Sequence, residues 1–167
     1  MVVPLKRTKI LVSLNYWYRH ICLNDNLDQI DNATEYFEGE LEDARSEVKI
    51  SGNIEQASYR LSGYFEYRYA QFQEVEAIVK HLNIELDRTR SKKFKQFTEH
   101  YNKELTPRVA EKYIDGDDEV VAWSSIINSF ALIRNQYSGL LKGMDIKNWQ
   151  LSNITKLRVA GIEDSML

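Results

Sequence analysis

Five cations, Arg88, Arg90, Lys92, Lys93 and Lys95, fall within one eight-residue stretch, with Phe94, Phe97 and Tyr101 set among and just after them. Charge interleaved with flat rings suits a single nucleic-acid strand, because phosphates meet Lys and Arg while bases stack on aromatic faces. The same residues also read as a solvated helix face balanced by Glu85, Asp87 and Glu99. A second cationic group, Lys142, Lys147, Lys156 and Arg158, surrounds Trp149 and Asn153 near the end of the chain. Lys156 and Arg158 serve equally well as DNA contacts or as cations offsetting a helix dipole. Trp149, at helical spacing with Ile146 and Asn153, is expected in the core rather than on a stacking platform.

Other chemistries lack their residues. His20, His81 and His100 have no Cys, His or acidic partner at metal-ligand spacing. The acidic turn Asp115 to Glu119 lacks the ligand alternation and distant Glu of a calcium loop, and reads instead as acids at a helix N-terminus. Ser124, Ser125 and Ser129 lie in a helical pattern with no base nearby, and no phosphate loop or nucleophile elbow is present. Cys22 is the single cysteine, which precludes an intramolecular disulfide, and its neighbours Ile21 and Leu23 mark it as core. The expectation is a non-enzymatic protein with no metal and no cofactor.

The elements that position the cations are helices. Two Pro and seven Gly in 167 residues leave few breakers, so an all-α fold is expected. The net charge of -3 conceals a polar distribution: Lys6, Arg7, Lys9 and Arg19 make the start purely basic, and an acidic stretch follows. Ile10, Leu14, Trp17, Tyr18 and Ile21 give a helical stripe, a strand through Lys9 to Tyr18 being the alternative. Residues from about Leu27 to Ile50 form an amphipathic acidic helix, apolar at Ile30, Ala33, Phe37, Leu41, Ala44 and Val48, that Ser51, Gly52 and Asn53 end. A helical pattern begins at Ile54, weakens at Ser62 and Gly63, and runs from Tyr64 to about Leu105 with a near-heptad apolar stripe. At about 1.5 Å per residue this is longer than a compact domain is wide, so the helix either breaks or builds an elongated hairpin.

Thr106 and Pro107 stop and restart the chain, Thr106 expected to cap a short helix that Pro107 opens and that runs to about Ile114, and a helix from about Asp118 to Met144 returns along its predecessor. Asp145 is expected to cap a separate amphipathic helix that Gly161 ends. The chain divides into residues 1–53, a basic segment and an acidic helix, and 54–167, a helical hairpin with its C-terminal helix. No stretch is apolar enough to span a membrane and no signal peptide opens the chain, so a cytoplasmic location is expected.

The order of features resembles a family. A tyrosine-rich helix entry (Tyr64, Tyr67, Tyr69) and a basic stretch running into aromatics (Arg88 to Tyr101) are followed by the turn Tyr113-Ile114-Asp115-Gly116-Asp117-Asp118. A Trp-led helix then leads to the tail Ile146-Lys147-Asn148-Trp149-Gln150-Leu151-Ser152-Asn153-Ile154-Thr155-Lys156-Leu157-Arg158-Val159-Ala160-Gly161. Together they resemble the UvsY family of bacteriophage recombination mediators, over roughly residues 64 to 162. The resemblance implies a helical, ring-forming homo-oligomer in the infected host that binds single-stranded DNA and helps load a phage recombinase past the single-strand-binding protein. It implies DNA contacts at Arg88, Arg90, Lys92, Lys93 and Lys95, to which Lys156 and Arg158 are candidate additions. It also implies an oligomerisation element from Ile146 to Ala160, with Ile146, Trp149, Ile154 and Leu157 on its apolar face. Two other readings stand beside this one. One is a helical phage assembly factor that touches no nucleic acid, and the other is an anti-defence protein whose acidic helix, Asp28 to Glu47, mimics a nucleic acid.

Overall fold

A computed structural model of the chain describes residues 13, 15–100 and 106–161. The basic start at Lys6, Arg7 and Lys9, the Ile10 and Leu14 positions of the first stripe, and Tyr101 lie outside them. Every regular element among the described residues is helical, with no strand. A short helix α1 (Tyr16–Tyr18) runs into a π-turn (Arg19–Leu23), and a 3₁₀ turn (Leu27–Gln29) leads into α2 (Ile30–Ala44). Then come α3 (Ile54–His100), α4 (Pro107–Asp115) and α5 (Asp118–Val159).

The 47 residues of α3 span about 70 Å. Asn53 starts the helix by accepting the Glu55 N–H at 2.9 Å, and Gly52, at φ 77°, makes the turn before it. Neither Ser62 nor Gly63 interrupts it. The 42 residues of α5 return antiparallel: Ala57 and Leu61 meet Met144 and Leu151 at one end, and Leu86 meets Val120 at the other. The elongated hairpin expected from the sequence is therefore the frame of the molecule.

Three findings differ from the sequence expectation. The acidic helix stops at Ala44 and continues as turns to Lys49. Thr106 has the extended backbone of a cap position, with Pro107 in the first turn, but its side chain makes no capping bond. Asp145 caps nothing, because α5 continues through it to Val159. Met144 and Leu151 are buried on either side of Asp145 against Ala57 and Leu61, and this packing outweighs a local cap preference.

The acidic helix belongs to the core. Ile30, Ala33, Phe37 and Leu41 of α2 close over Val75, Ile78, Val79 and Leu82 of α3 and Phe130, Ile133 and Tyr137 of α5, with Trp17 and Ile21 from the N-terminal turns. Glu74 holds those turns in place, its carboxylate accepting the Tyr18 N–H at 3.0 Å. Burial raises its pKa against the pull of backbone N–H groups of Tyr18, Trp17 and Asn15. A raised folded-state pKa gives stability that is full below the ordinary carboxylate range and is lost as pH rises through the raised value. Denaturant melts from about pH 4 to 8 should therefore show the wild type losing stability with rising pH relative to Glu74→Gln.

Gly143 marks the closest approach of the loop after α2 to α5, since a Cβ there would stand 2.9 Å from Val48 Cγ1. At Gly63 of α3 a Cβ would meet nothing within 4 Å. Gly63→Ala is expected to stabilise the chain by about 0.5–1 kcal/mol through helix propensity. Gly143→Ala should lose that gain to overpacking, and paired thermal melts check the contrast.

Candidate nucleic-acid interface

The distal half of α3 carries the five cations, and helical geometry divides them. The buried stripe of Val75, Val79, Leu82 and Leu86 continues along the helix as Arg90, Lys93 and Phe97, so two cations occupy the side facing α4 and the start of α5. There they meet the acidic turn. Arg90 pairs with Asp115 at 3.0 Å, and Lys93 with both Asp117 and Glu119 at 3.0 Å. Hydrogen bonds that Lys93 donates to Asp117 and then to Glu119 raise its pKa, and Lys93 in turn lowers that of Asp117, so both are ionised at neutral pH. Asp117 also accepts the Glu119 N–H at 3.0 Å and caps α5.

Arg88, Lys92 and Lys95 form the outward row, at spacings of four and three residues. Arg88 contacts Glu85 and Lys95 approaches Glu99 at 3.8 Å, while Lys92 has no ion pair among the described residues. The Arg88 and Lys95 side chains are 70% and 76% exposed; Glu85 is only 16% exposed, while the Lys95–Glu99 pair is open on both sides and holds by at most about 1 kcal/mol. A phosphate can reach both cations from solvent.

The rings separate in the same way. Phe97 packs at the edge of the Leu86, Ile114 and Val120 cluster and stacks on Tyr113, with centroids 6.1 Å apart. Phe94 is 39% exposed and lines a groove of about 520 Å³ with Arg90, Ser91, Glu111, Ile114 and Asp115. Phe94 is thus the ring of the pair open to a base.

Lys156 and Arg158 do not join this row. They sit exposed in the last turn of α5, whose first turn holds Glu119 beside Lys93, so Lys156 lies about 55 Å away along the helix. Trp149 is 66% exposed and is not core, contrary to the expectation from its spacing. Ile146 and Leu157 are exposed on the same side and Ile154 is half-buried.

A buried polar cluster absent from the sequence expectations lies on the proximal half of α3. Arg68, 4% exposed, binds Glu47 through two bonds of 2.9 and 2.7 Å, Glu40 at 2.7 Å and Gln71 at 2.8 Å. Gln71 Nε2 donates to Glu40 at 3.1 Å, the Tyr137 hydroxyl donates to Gln71 at 3.2 Å, and Lys147 donates to the Glu47 carbonyl at 2.7 Å. Burial opposes the Arg68 charge, but the bonds and charges of Glu47 and then Glu40 outweigh it and raise the pKa. Desolvation lowers the pKa of Lys147 against Glu47, and it raises that of Tyr137. The signal was present in the spacing: Leu61, Arg68, Val75 and Leu82 recur every seven residues, so Arg68 occupies a core position and requires buried acids. Every polar group in this cluster is engaged by another, which makes it a clamp of α2 onto the hairpin.

The serines singled out in the sequence are occupied. Ser124, Ser125 and Ser129 donate to the carbonyls four residues back. Burial, with a smaller contribution from Glu74, pushes the Cys22 thiol up to about 12, which leaves it a neutral and poor nucleophile. Among the described residues no three His, Cys, Asp or Glu side chains converge as metal ligands, and no helix is long and apolar enough to cross a membrane. No family model, no curated protein and no solved structure matches the chain.

Proposed function

We propose that this chain is a non-enzymatic, self-associating protein that binds single-stranded DNA and acts as a recombination mediator, helping a phage recombinase onto strand held by a single-strand-binding protein in the cytoplasm of an infected host. The observation that carries the DNA reading is the outward row of Arg88, Lys92 and Lys95 beside the open ring of Phe94. Three or four phosphate contacts per chain give only weak non-specific affinity, about 10⁻⁴ to 10⁻⁶ M, so several copies must act on one strand. The exposed Ile146, Trp149 and Leu157 are the apolar surface from which such an assembly is built.

Mass photometry with and without a labelled single-stranded oligonucleotide tests assembly and ligand together. Changing Arg88, Lys92 and Lys95 to Ala should leave the helical circular dichroism intact, weaken binding, and lower the slope of log affinity against log salt by roughly 2. Lys93→Ala should do much less to binding, because Lys93 is held by Asp117 and Glu119. Equal binding by the wild type and the triple variant at every salt concentration would defeat the assignment of the outward row.

A second reading, a helical assembly factor without nucleic-acid binding, is favoured by the pairing of Arg90 and Lys93 with Asp115, Asp117 and Glu119, which spends cations on the fold. It expects oligomers unchanged by oligonucleotide and no binding even at low salt.

A further inference from the structure

We propose that two copies of this chain pair through the last four turns of α5, with the two helices running antiparallel. This rests on the self-association in the proposed function and specifies its geometry. Leu151 is the last buried residue of α5, and the cluster that holds it includes Ala57, with Ile54 packed against it, at the very start of α3. Beyond it α5 continues to Val159, and among the described residues nothing covers its outer side. The apolar side chains there are 57% exposed at Ile146, 66% at Trp149 and 49% at Leu157.

The direction of pairing follows from charge. Asp145 and Lys156 are eleven residues apart, three helical turns, and therefore share one side of α5; Ile146 and Leu157 have the same spacing on the adjoining side. When a second α5 is laid antiparallel about the level of Leu151 and Ser152, Ile146 faces Leu157 of the other copy and Asp145 faces Lys156 of the other copy. Each contact occurs twice, as two-fold symmetry requires. A parallel pair would instead bring each Asp145 to the level of the other copy's Asp145, eleven residues from either Lys156, so the opposite charges would not meet. Asp145 and Lys156 are exposed and have no ion pair within the chain among the described residues, so both are available. Gln150 and Asn153 meet near the axis, where amides hydrogen-bond across a seam. The two bodies then extend in opposite directions and hold their basic rows on the order of 100 Å apart, so an oligonucleotide must be long to engage both.

The test is sedimentation velocity on full-length wild type, Asp145→Lys, Lys156→Asp and the double variant. All the changed residues are exposed, and circular dichroism confirms the fold of each. Either single change turns two attractions into two repulsions and should raise the dimer Kd about tenfold, whereas the double variant restores opposite charges and should return to within about threefold of wild type. Trp149→Ala should weaken pairing more than either single change, because it removes the largest apolar contact. Single variants as tight as wild type, or a double variant as weak as the singles, overturn the antiparallel pair while self-association stands. A wild type that stays monomeric at roughly 10⁻⁴ M defeats self-association itself, and strand binding measured on the same samples reports separately on the DNA reading. A chain ending at Gly161 should pair as the full chain does; pairing that appears only on truncation would assign the face to residues 162–167 and overturn the proposal.

Discussion

Arg68→Leu is expected to cost about 3–5 kcal/mol of folding stability and to lower the thermal midpoint by roughly 10 °C. The cost does not come from the lost arginine contacts alone. Glu40 and Glu47 have side chains only 16% and 13% exposed, and without the guanidinium Glu40 loses its ion pair and Glu47 keeps only the nearby charge of Lys147, which bonds its backbone carbonyl. Gln71 also loses a donor to its carbonyl, which leaves Tyr137 as its remaining one. Arg68→Lys should recover little, because an ammonium cannot make the paired bonds to Glu47 and reach Glu40 at once. The diagnostic variant is Arg68→Leu combined with Glu40→Gln and Glu47→Gln. Removing the stranded charges along with their partner should restore most of the loss in urea melts. A triple variant no more stable than the single would mean that shape, not charge balance, holds α2 on the hairpin.

The same cluster marks the limit of what the sequence disclosed. The long pairing of α3 with α5 was legible because breaker-poor segments with near-heptad apolar stripes have few ways to bury them. The acidic helix was legible as a helix, and its apolar face of Ile30, Ala33, Phe37, Leu41 and Ala44 is the face that packs. Its destination was not, because Glu40 and Glu47 look like any solvated acids until Arg68, more than twenty residues away, is brought against them. The unbroken course of α5 through Asp145 was hidden for a related reason: local signals favour a cap there, and only the tertiary burial of Met144 and Leu151 overrides them. Of the candidate interface, the helix and its cations were legible from spacing. The pairing of Arg90 and Lys93 was not, since the acidic turn could be recognised as a helix start without any sign that it also reaches back to α3.

That pairing makes the sharpest test of the DNA reading possible from the acidic side. Asp115→Asn, Asp117→Asn and Glu119→Gln together should release Arg90 and Lys93 without removing a cation, and the released pair should strengthen single-strand binding about tenfold and steepen the salt slope by roughly 1.4. Asn is chosen at 117 because its side-chain oxygen still accepts the Glu119 N–H and caps α5, so the helix start survives. Asp115 and Glu119 are open to water, 62% and 50% exposed, while Lys93 and Asp117 are only 20% and 22% exposed, so the folding penalty of the triple change should come chiefly from the Lys93–Asp117 pair. Titrations of a labelled oligonucleotide at several salt concentrations read both numbers at once. In an assembly factor the triple change would alter only the melt, because no strand competes for the cations. Tighter binding with an unchanged slope would point to relief of repulsion by the acids, whereas a steeper slope requires new phosphate contacts. Unchanged affinity and slope would mean that Arg90 and Lys93 serve the fold alone, and would leave the outward row of Arg88, Lys92 and Lys95 as the whole of the interface.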